Sequence, residues 1–307
     1  MVINDAHCHF FSPQFFGTLA RQQLAMRAAP SPVVAASASE IYRELQWDDP
    51  VAAETLADRW VAELDRHGVN RAVLIASVPG DEASVAKAVA KHPARFVGFF
   101  MLDPSATDGV ERARRAIDEL RLLGICLFPA MHHVALTDDR VRRIVEVAAE
   151  RPGVIVFVHC GVLTVGVRRK LGLPSHFDLR LGNPIEVANL ALAFPHVPFI
   201  IPHLGAGLLR EALMAADTCA NIHLDTSSSN SWTRYTPGLT LDAAFKATLA
   251  VMGASRLLFG TDSSFFPRGW QKGIYETQNR IVESAGIGAA DAALIFGGNF
   301  DRLFPAG

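Results

Sequence analysis

Val154-Ile155-Val156-Phe157-Val158-His159-Cys160 is an unbroken apolar run that ends on an imidazole, and Val197-Pro198-Phe199-Ile200-Ile201-Pro202-His203 repeats the arrangement further along the chain. Runs this short, β-branched and apolar along their whole length read as strands buried on both faces, the kind that fill a parallel sheet. A packed strand gains nothing from an imidazole at its end, so both histidines point to chemistry rather than packing.

Working outward from these two, six more short β-branched or apolar runs recur: VINDAH (2–7), RAVLIAS (71–77), RFVGFFM (95–101), GICLFPA (124–130), NIHLDTS (221–227) and RLLFGTD (256–262). The amphipathic stretches between them predict helices near 54–67, 82–91, 108–122, 138–150, 184–194, 206–216, 240–252 and 272–285. Asp108 is expected to cap the third helix and Gly124 to close it, while Asn183-Pro184 supplies a cap and a first-turn proline to the fifth. Eight strand–helix units, with neither a linker nor a repeat between halves, predict an α/β fold: a (β/α)8 TIM barrel forming a single domain over 1–307. An open doubly wound sheet is the alternative. The long interval at 10–53 is an insertion after strand 1, which a barrel places on its catalytic face. It is expected to be a lid or pocket wall, or else a plain surface excursion.

Of the 307 residues half are hydrophobic and a fifth charged, which excludes global disorder, and the net charge of −2 gives no reason to expect nucleic acid or an anionic membrane as partner. A small-molecule substrate is expected. No basic stretch precedes a long apolar run at the start, so the expected location is cytoplasmic. The four cysteines, Cys8, Cys126, Cys160 and Cys219, are scattered and read as reduced thiols. Strand alternation turns Cys8 and Cys160 away from the histidines beside them, as small core residues.

His7 and His9 are two residues apart on a strand and therefore project to the same side, able to grip one ion together. His159, His203 and Asp262 stand at the ends of the fifth, sixth and eighth strands, where barrel enzymes gather their functional groups. Neutral imidazoles with one carboxylate suit zinc, with manganese or iron also acceptable.

Asp5-Ala6-His7-Cys8-His9, Val158-His159-Cys160-Gly161, Pro202-His203-Leu204-Gly205 and Phe259-Gly260-Thr261-Asp262, with the closing Gly298–Phe304 segment, resemble the amidohydrolase superfamily over nearly the whole chain. The branch resembled includes aminocarboxymuconate semialdehyde decarboxylase and pyrone-dicarboxylate hydrolase. The resemblance implies one metal held by His7, His9, His159 and Asp262, with His203 as acid/base or as the group that orients water or substrate. The fourth strand offers no lysine or glutamate to bridge a second ion. The pyrone-dicarboxylate hydrolase likeness also implies a metal-free version, in which the histidines polarise a carbonyl and Asp262 is the general base for water. Hydrolysis of a small carboxylated compound by activated water is the leading expectation. A decarboxylase or hydratase is the near rival, a non-catalytic binding barrel the remote one, and the branch also implies a possible homodimer.

The same mouth is expected to hold His132, His133 and Asp225, and the basic residues Arg168, Arg169, Lys170, His176, Arg234 and Arg268 lie in loops where an acidic substrate must enter. Phe10, Phe11, Phe265, Phe266, Trp232 and Trp270 could wall the pocket. Gly205-Ala206-Gly207 with Asp225 only partly imitates a dinucleotide fingerprint, because Arg210 stands where a third glycine belongs. Those glycines are expected instead to let a helix start close behind His203.

Overall fold

The computed structural model describes residues 1–26, 38–49 and 51–305. Eight strands, β1 (Asn4–Phe10), β2 (Arg71–Ala76), β3 (Phe96–Met101), β4 (Gly124–Leu127), β5 (Ile155–Val158), β6 (Phe199–Ile201), β7 (Ile222–Asp225) and β8 (Leu257–Leu258), form one parallel sheet in sequence order. β8 returns to β1 through a parallel bridge between Cys8 and Ser263. The N–H groups of Ala6, His9 and Asp262 complete the seam by donating to the carbonyls of Phe259, Ser263 and His7 at 2.9, 2.7 and 2.9 Å. This is the expected (β/α)8 TIM barrel.

In chain order the helices are α1 (Pro13–Met26), α2 (Ala38–Leu45), α3 (Ala53–Arg66), α4 (Glu82–Lys91), α5 (Gly109–Asp118), the single turn α6 (Pro129–His132), α7 (Asp139–Ala149), the short α8 (Gly166–Lys170), α9 (Pro184–Ala193), α10 (Leu209–Thr218), α11 (Leu241–Met252), α12 (Lys272–Ser284), α13 (Ala289–Ala293) and α14 (Asn299–Leu303). No helix among the described residues is long and apolar enough to cross a membrane. The Asn183 side chain accepts from Ile185 N–H at 3.0 Å with Pro184 in the first turn, as its sequence predicts. Asp108 precedes α5 and accepts Arg112 N–H at 2.9 Å through its carbonyl, but its side chain makes no cap bond. Gly124 does not close that helix, which ends at Asp118; it opens β4 instead. The reason is packing, since a Cβ there would sit 2.2 Å from the Phe99 ring.

Strand alternation sorts the core into two layers. Val73, Ile75, Val97, Phe99, Cys126, Ile155 and Phe157 form the barrel interior. Their neighbours Ala72, Leu74, Phe96, Phe100, Ile125 and Val156 pack outward with helix residues such as Ala57, Trp60 and Ala88. Cys8 and Cys160 belong to the outer layer, and all four cysteines are buried and free. The described part of the 10–53 insertion adds a small third core, in which Phe15, Phe16 and Leu19 of α1 and Ile41 and Tyr42 of α2 pack on Val78 and Val167 from the loops after β2 and β5. The described part of the insertion therefore sits on the mouth; residues 27–37 and 50, which include the start of its Ala/Ser-rich patch, fall outside the described residues.

β1 departs from regular alternation. Asp5 pairs with Ala72 but Cys8 pairs with Leu74, so three steps on β1 match two on β2, and one extra residue is accommodated as a bulge. Asp5 and Cys8 consequently share the outer side while His7 and His9 turn inward. The bulge is clamped by the Asp5 carboxylate, fully buried, which accepts from His7 N–H at 2.9 Å, Thr261 N–H at 3.1 Å, Thr261 Oγ1–H at 2.5 Å and Trp270 Nε1–H at 2.7 Å. Removing it strands three N–H donors away from water, while Thr261 Oγ1 keeps Ser263 Oγ at 2.6 Å. Asp5→Ala is expected to destabilise the apo protein by about 3 kcal/mol, read as a lower urea midpoint; an unchanged midpoint would show that the bulge holds without the clamp.

Candidate metal centre and active site

The inward turn of β1 brings the His7 and His9 rings to 5.1 Å between centroids. Each ring is fixed through its Nδ1. His7 Nδ1 donates to Asp225 Oδ2 at 3.0 Å, reaching from β1 to the end of β7. His9 Nδ1 lies 2.7 Å from Ser77 Oγ, whose own hydrogen is directed to Ile75 O at 3.0 Å, so the ring donates to the serine. Both histidines then present an Nε2 lone pair, and both face Asp262 Oδ1, at 3.8 and 3.1 Å. Four donors around a zinc ion at about 2.0–2.2 Å stand roughly 3.4 Å apart, and spacings of 3.8 and 3.1 Å are compatible with a ligand set. With both imidazoles neutral, a cation satisfies all three groups; otherwise an imidazole has to be protonated to pair with the carboxylate.

The electrostatics agree. Burial acts most strongly on His7 and lowers its pKa, but Asp225, Asp262 and Asp5 outweigh it and the net shift is upward: the position calls for positive charge. Asp262 is held below the ordinary carboxylate range; burial opposes this, and the bond and charge of His9, with His7 behind it, prevail.

A second group, His7, His203 and Asp225, also has its donor atoms within 4.8 Å of one another. It is a hydrogen-bond network, because the Ser227 hydroxyl occupies its centre, 2.9 Å from His7 Nδ1 and 2.8 Å from His203 Nδ1, and donates to Asp225 Oδ1. Asp225 Oδ1 also accepts the N–H groups of His203 and Ser227, each at 2.9 Å. His203 Nδ1–H is directed at Ser227, whose carbonyl is 3.2 Å away, which leaves Nε2 as the acceptor. Burial, followed by the charge of His7, keeps the pKa of His203 below its ordinary value. Both effects favour its neutral form.

His159 packs its ring against Phe128 at 5.3 Å and lies 5.3 Å from the His203 ring. It belongs to neither close group of donor atoms, yet it shares their cavity. Burial first, then His203 and His7, push its pKa well below the ordinary value, and its buried Nδ1 has no hydrogen-bond partner. A neutral imidazole with an unsatisfied nitrogen fits a metal-binding neighbourhood, as the convergent Nε2 atoms of His7 and His9 do.

Two of the five groups sit on left-handed backbone, His203 at φ 56° and Asp262 at φ 59°. From His203 the turn continues through Leu204, Gly205, Ala206 and Gly207, all at positive φ. The helix begins only at Leu209, so these glycines serve a left-handed turn rather than an immediate helix start. The turn also receives the loop after β5 closely: a Cβ on Gly161 would lie 2.2 Å from Gly205 O.

A cavity of about 390 Å³ opens over these groups, walled by Phe11, Phe15, Trp47, Phe128 and Phe265, with Lys170 and Arg268 at its edge. Arg268 donates to Ser264 Oγ at 2.6 Å and lies 4.5 Å over the Phe265 ring. His132 and Arg168 line an adjoining cavity of about 400 Å³, where Arg168 donates to Pro174 O at 2.7 Å. His133 and His176 line it too. Arg234 lines neither and bonds Tyr235 Oη at 2.9 Å. Phe11 and Phe265 are pocket walls; Phe10, Trp232 and Trp270 are core residues, and Phe266 packs against Trp60. Ser227, Ser77 and Trp47 were missed from sequence. Ser227 had a signal, since Asp225-x-Ser227 repeats on β7 the spacing of His7-x-His9.

The family model described as Amidohydrolase matches residues 4–306. No curated protein matches the chain. Among solved structures, 5-carboxyvanillate decarboxylase from Novosphingobium aromaticivorans, complexed with manganese and 4-hydroxy-3-methoxy-5-nitrobenzoic acid, is similar over 99% of this chain and 96% of that one, at 16% identity and a TM-score of 0.63. A probable 2-pyrone-4,6-dicarboxylic acid hydrolase from Acinetobacter baumannii with citric acid bound is similar over 99% of both chains, at 14% identity and a TM-score of 0.61. An amidohydrolase from Burkholderia multivorans with bound zinc is similar over 100% of both, at 14% identity and a TM-score of 0.56. Identities this low carry the fold alone.

Because Asp225 sets which nitrogen of His7 is free, Asp225→Asn is expected to weaken metal binding by about 10–100-fold, measured by competition with a chromophoric chelator. Unchanged affinity would separate the β7 network from the metal centre.

Proposed function

This chain belongs to the amidohydrolase family, and we propose that within it the protein is a metal-dependent hydrolase acting on a small carboxylated organic substrate through activated water. The observation that carries this reading is the convergence of two imidazole Nε2 atoms and the Asp262 carboxylate, with the neutral His203 imidazole 4.9 Å from the His7 ring.

His7, His9, Asp262 and His159 would hold one divalent ion, zinc before manganese or iron for this donor set. Such an ion supplies Lewis acidity, polarising a carbonyl and lowering the pKa of water to about 7. β4 turns Cys126 to the interior, with Phe128 just after it, and burial alone pushes the Cys126 thiol far up, so neither recruits a second ion.

The remaining steps belong to the chain. His203 Nε2 takes a proton from the attacking water as its oxygen bonds to the carbonyl carbon, and returns that proton to the leaving atom as the C–O, C–N or C–C bond breaks. Asp225 and Ser227 keep Nδ1 as the protonated nitrogen throughout. Arg268 and Lys170 meet the substrate carboxylate at the edge, the flat aromatic walls favour an unsaturated or cyclic body, and α1 and α2 act as a lid that limits bulk water. If the metal is absent, Asp262 takes the water proton instead.

The second reading is loss of CO2. One wall of the chamber is apolar, formed by Phe11, Phe15, Met101, Phe128 and Met131, and a carboxylate held against that wall is favoured to leave as neutral CO2. His203 would then deliver the proton to carbon.

The two readings separate on a panel of carboxylated lactones, amides and phenols. Incorporation of labelled oxygen from water into the product supports hydrolysis, whereas release of labelled CO2 overturns it in favour of the lyase. In either case His203→Gln is expected to lower kcat by about 10²–10⁴-fold with metal content unchanged. Full activity in that variant would remove His203 from proton transfer.

A further inference from the structure

Three aspartates are buried among the described residues, and they are not equally satisfied. Asp5 accepts four hydrogen bonds and Asp225 another four. Asp81, on the loop between β2 and α4, is 1% exposed yet accepts a single one, from Ser12 Oγ–H to its Oδ2 at 2.6 Å. Its Oδ1 is buried without a partner. An ionised carboxylate shut away from water with one donor is costly, and protonation removes that cost.

Ser12 joins this carboxyl to α1. It is fully buried, and its Oγ caps the helix by accepting Phe15 N–H at 3.1 Å while donating to Asp81. The start of α1 is thereby tied to the loop after β2, where Phe15, Phe16 and Leu19 also pack with Val78. Its other end is tied to α8: Arg168 donates to Gln22 Oε1 at 2.5 Å, and Gln23 Nε2 to Leu171 O at 3.2 Å. Phe15 walls both cavities at the mouth, so the seat of α1 sets access to them.

We propose that Asp81 is a proton-operated latch for α1: the protonated carboxyl keeps the helix seated over the cavities, and the ionised one draws in water and lets it lift. The latch concerns the movement of α1 and stands whichever reaction the site performs. From the α1 side Asp81 meets the Ser12 hydroxyl, and from α4 it meets Ser84 and Glu82. No cation faces it among the described residues, and Glu82 is engaged by Arg112 of α5 and by Gly80 N–H at 3.3 Å. Burial pushes the Asp81 carboxyl up to about 6; the hydroxyls of Ser12 and Ser84 oppose this and the charge of Glu82 adds to it. With the helix lifted, water reaches the carboxylate and the ordinary value of about 3.9 returns. Seating α1 therefore takes up a proton. The seated form is favoured at low pH and loses that advantage as the pH rises through about 6.

Hydrogen–deuterium exchange of α1 in the protein as purified, corrected for the intrinsic effect of pH and referred to α9, tests the latch. Between about pH 5 and pH 8 the protection of α1 is expected to fall about tenfold in the wild type. Asp81→Asn, which does not ionise, is expected to give the same protection at both. Ser12→Ala keeps the ionising group but cuts its tie to the helix, and is expected to lower the protection of α1 at pH 5 by about fivefold. Circular dichroism verifies that each barrel is intact, and Asp81→Leu repeats the test if the asparagine variant does not fold. Equal protection of wild-type α1 at both pH values overturns the proposal. So does a pH dependence that survives in a folded Asp81 variant, or an α1 as protected in Ser12→Ala as in the wild type.

Discussion

A parallel strand shows its side chains to alternate sides, so one residue more or less reverses everything that follows. β1 uses that sensitivity. Asp5 has to face outward to reach Thr261 and Trp270, and His7 and His9 have to face inward to reach Asp262, and strict alternation forbids both, since all three are odd-numbered. The bulge between Asp5 and Cys8 resolves the conflict. It also stands beside the seam where β8 meets β1, so the closure of the barrel and the aim of two candidate ligands depend on the same few hydrogen bonds.

From that point the site is ordered by one buried carboxylate. Asp225, wholly inaccessible, takes the His7 ring, the Ser227 hydroxyl and the N–H groups of His203 and Ser227. Charge-assisted bonds of this kind hold two histidines in chosen tautomers, which decides that each offers Nε2 to the cavity. Left-handed backbone at His203 and Asp262 costs about 1–2 kcal/mol per residue. At His203 the bond from its N–H to Asp225 offsets part of that cost, and at Asp262 the bond from its N–H to His7 O at 2.9 Å does the same.

Much of this was legible beforehand. The eight apolar runs gave every strand because buried parallel strands carry an uninterrupted signal, and imidazoles or a carboxylate at their ends stood out against it. The same method failed where geometry is not local. A bulge leaves no mark in a seven-residue stretch, so the outward role of Asp5 was invisible. The left-handed turn after His203 looked like a helix start, since glycines serve either. Gly124 read as a helix stop when its task is to admit the Phe99 ring. Position after strands is all that the sequence offers for Arg168 and Arg234; the structure adds that Arg168 lines the adjoining cavity while bonded to Pro174 and Gln22, and that Arg234 bonds Tyr235.

The central claim is that His7, His9 and Asp262 are aimed at a cation. The most direct measurement is elemental analysis of protein purified without added metal, alongside the His7→Ala/His9→Ala double variant. The account predicts about one equivalent of zinc, manganese or iron per folded chain, lost in the variant. Wild-type protein that holds no metal even after zinc is offered would contradict it and leave Asp262 as the base of a metal-free site.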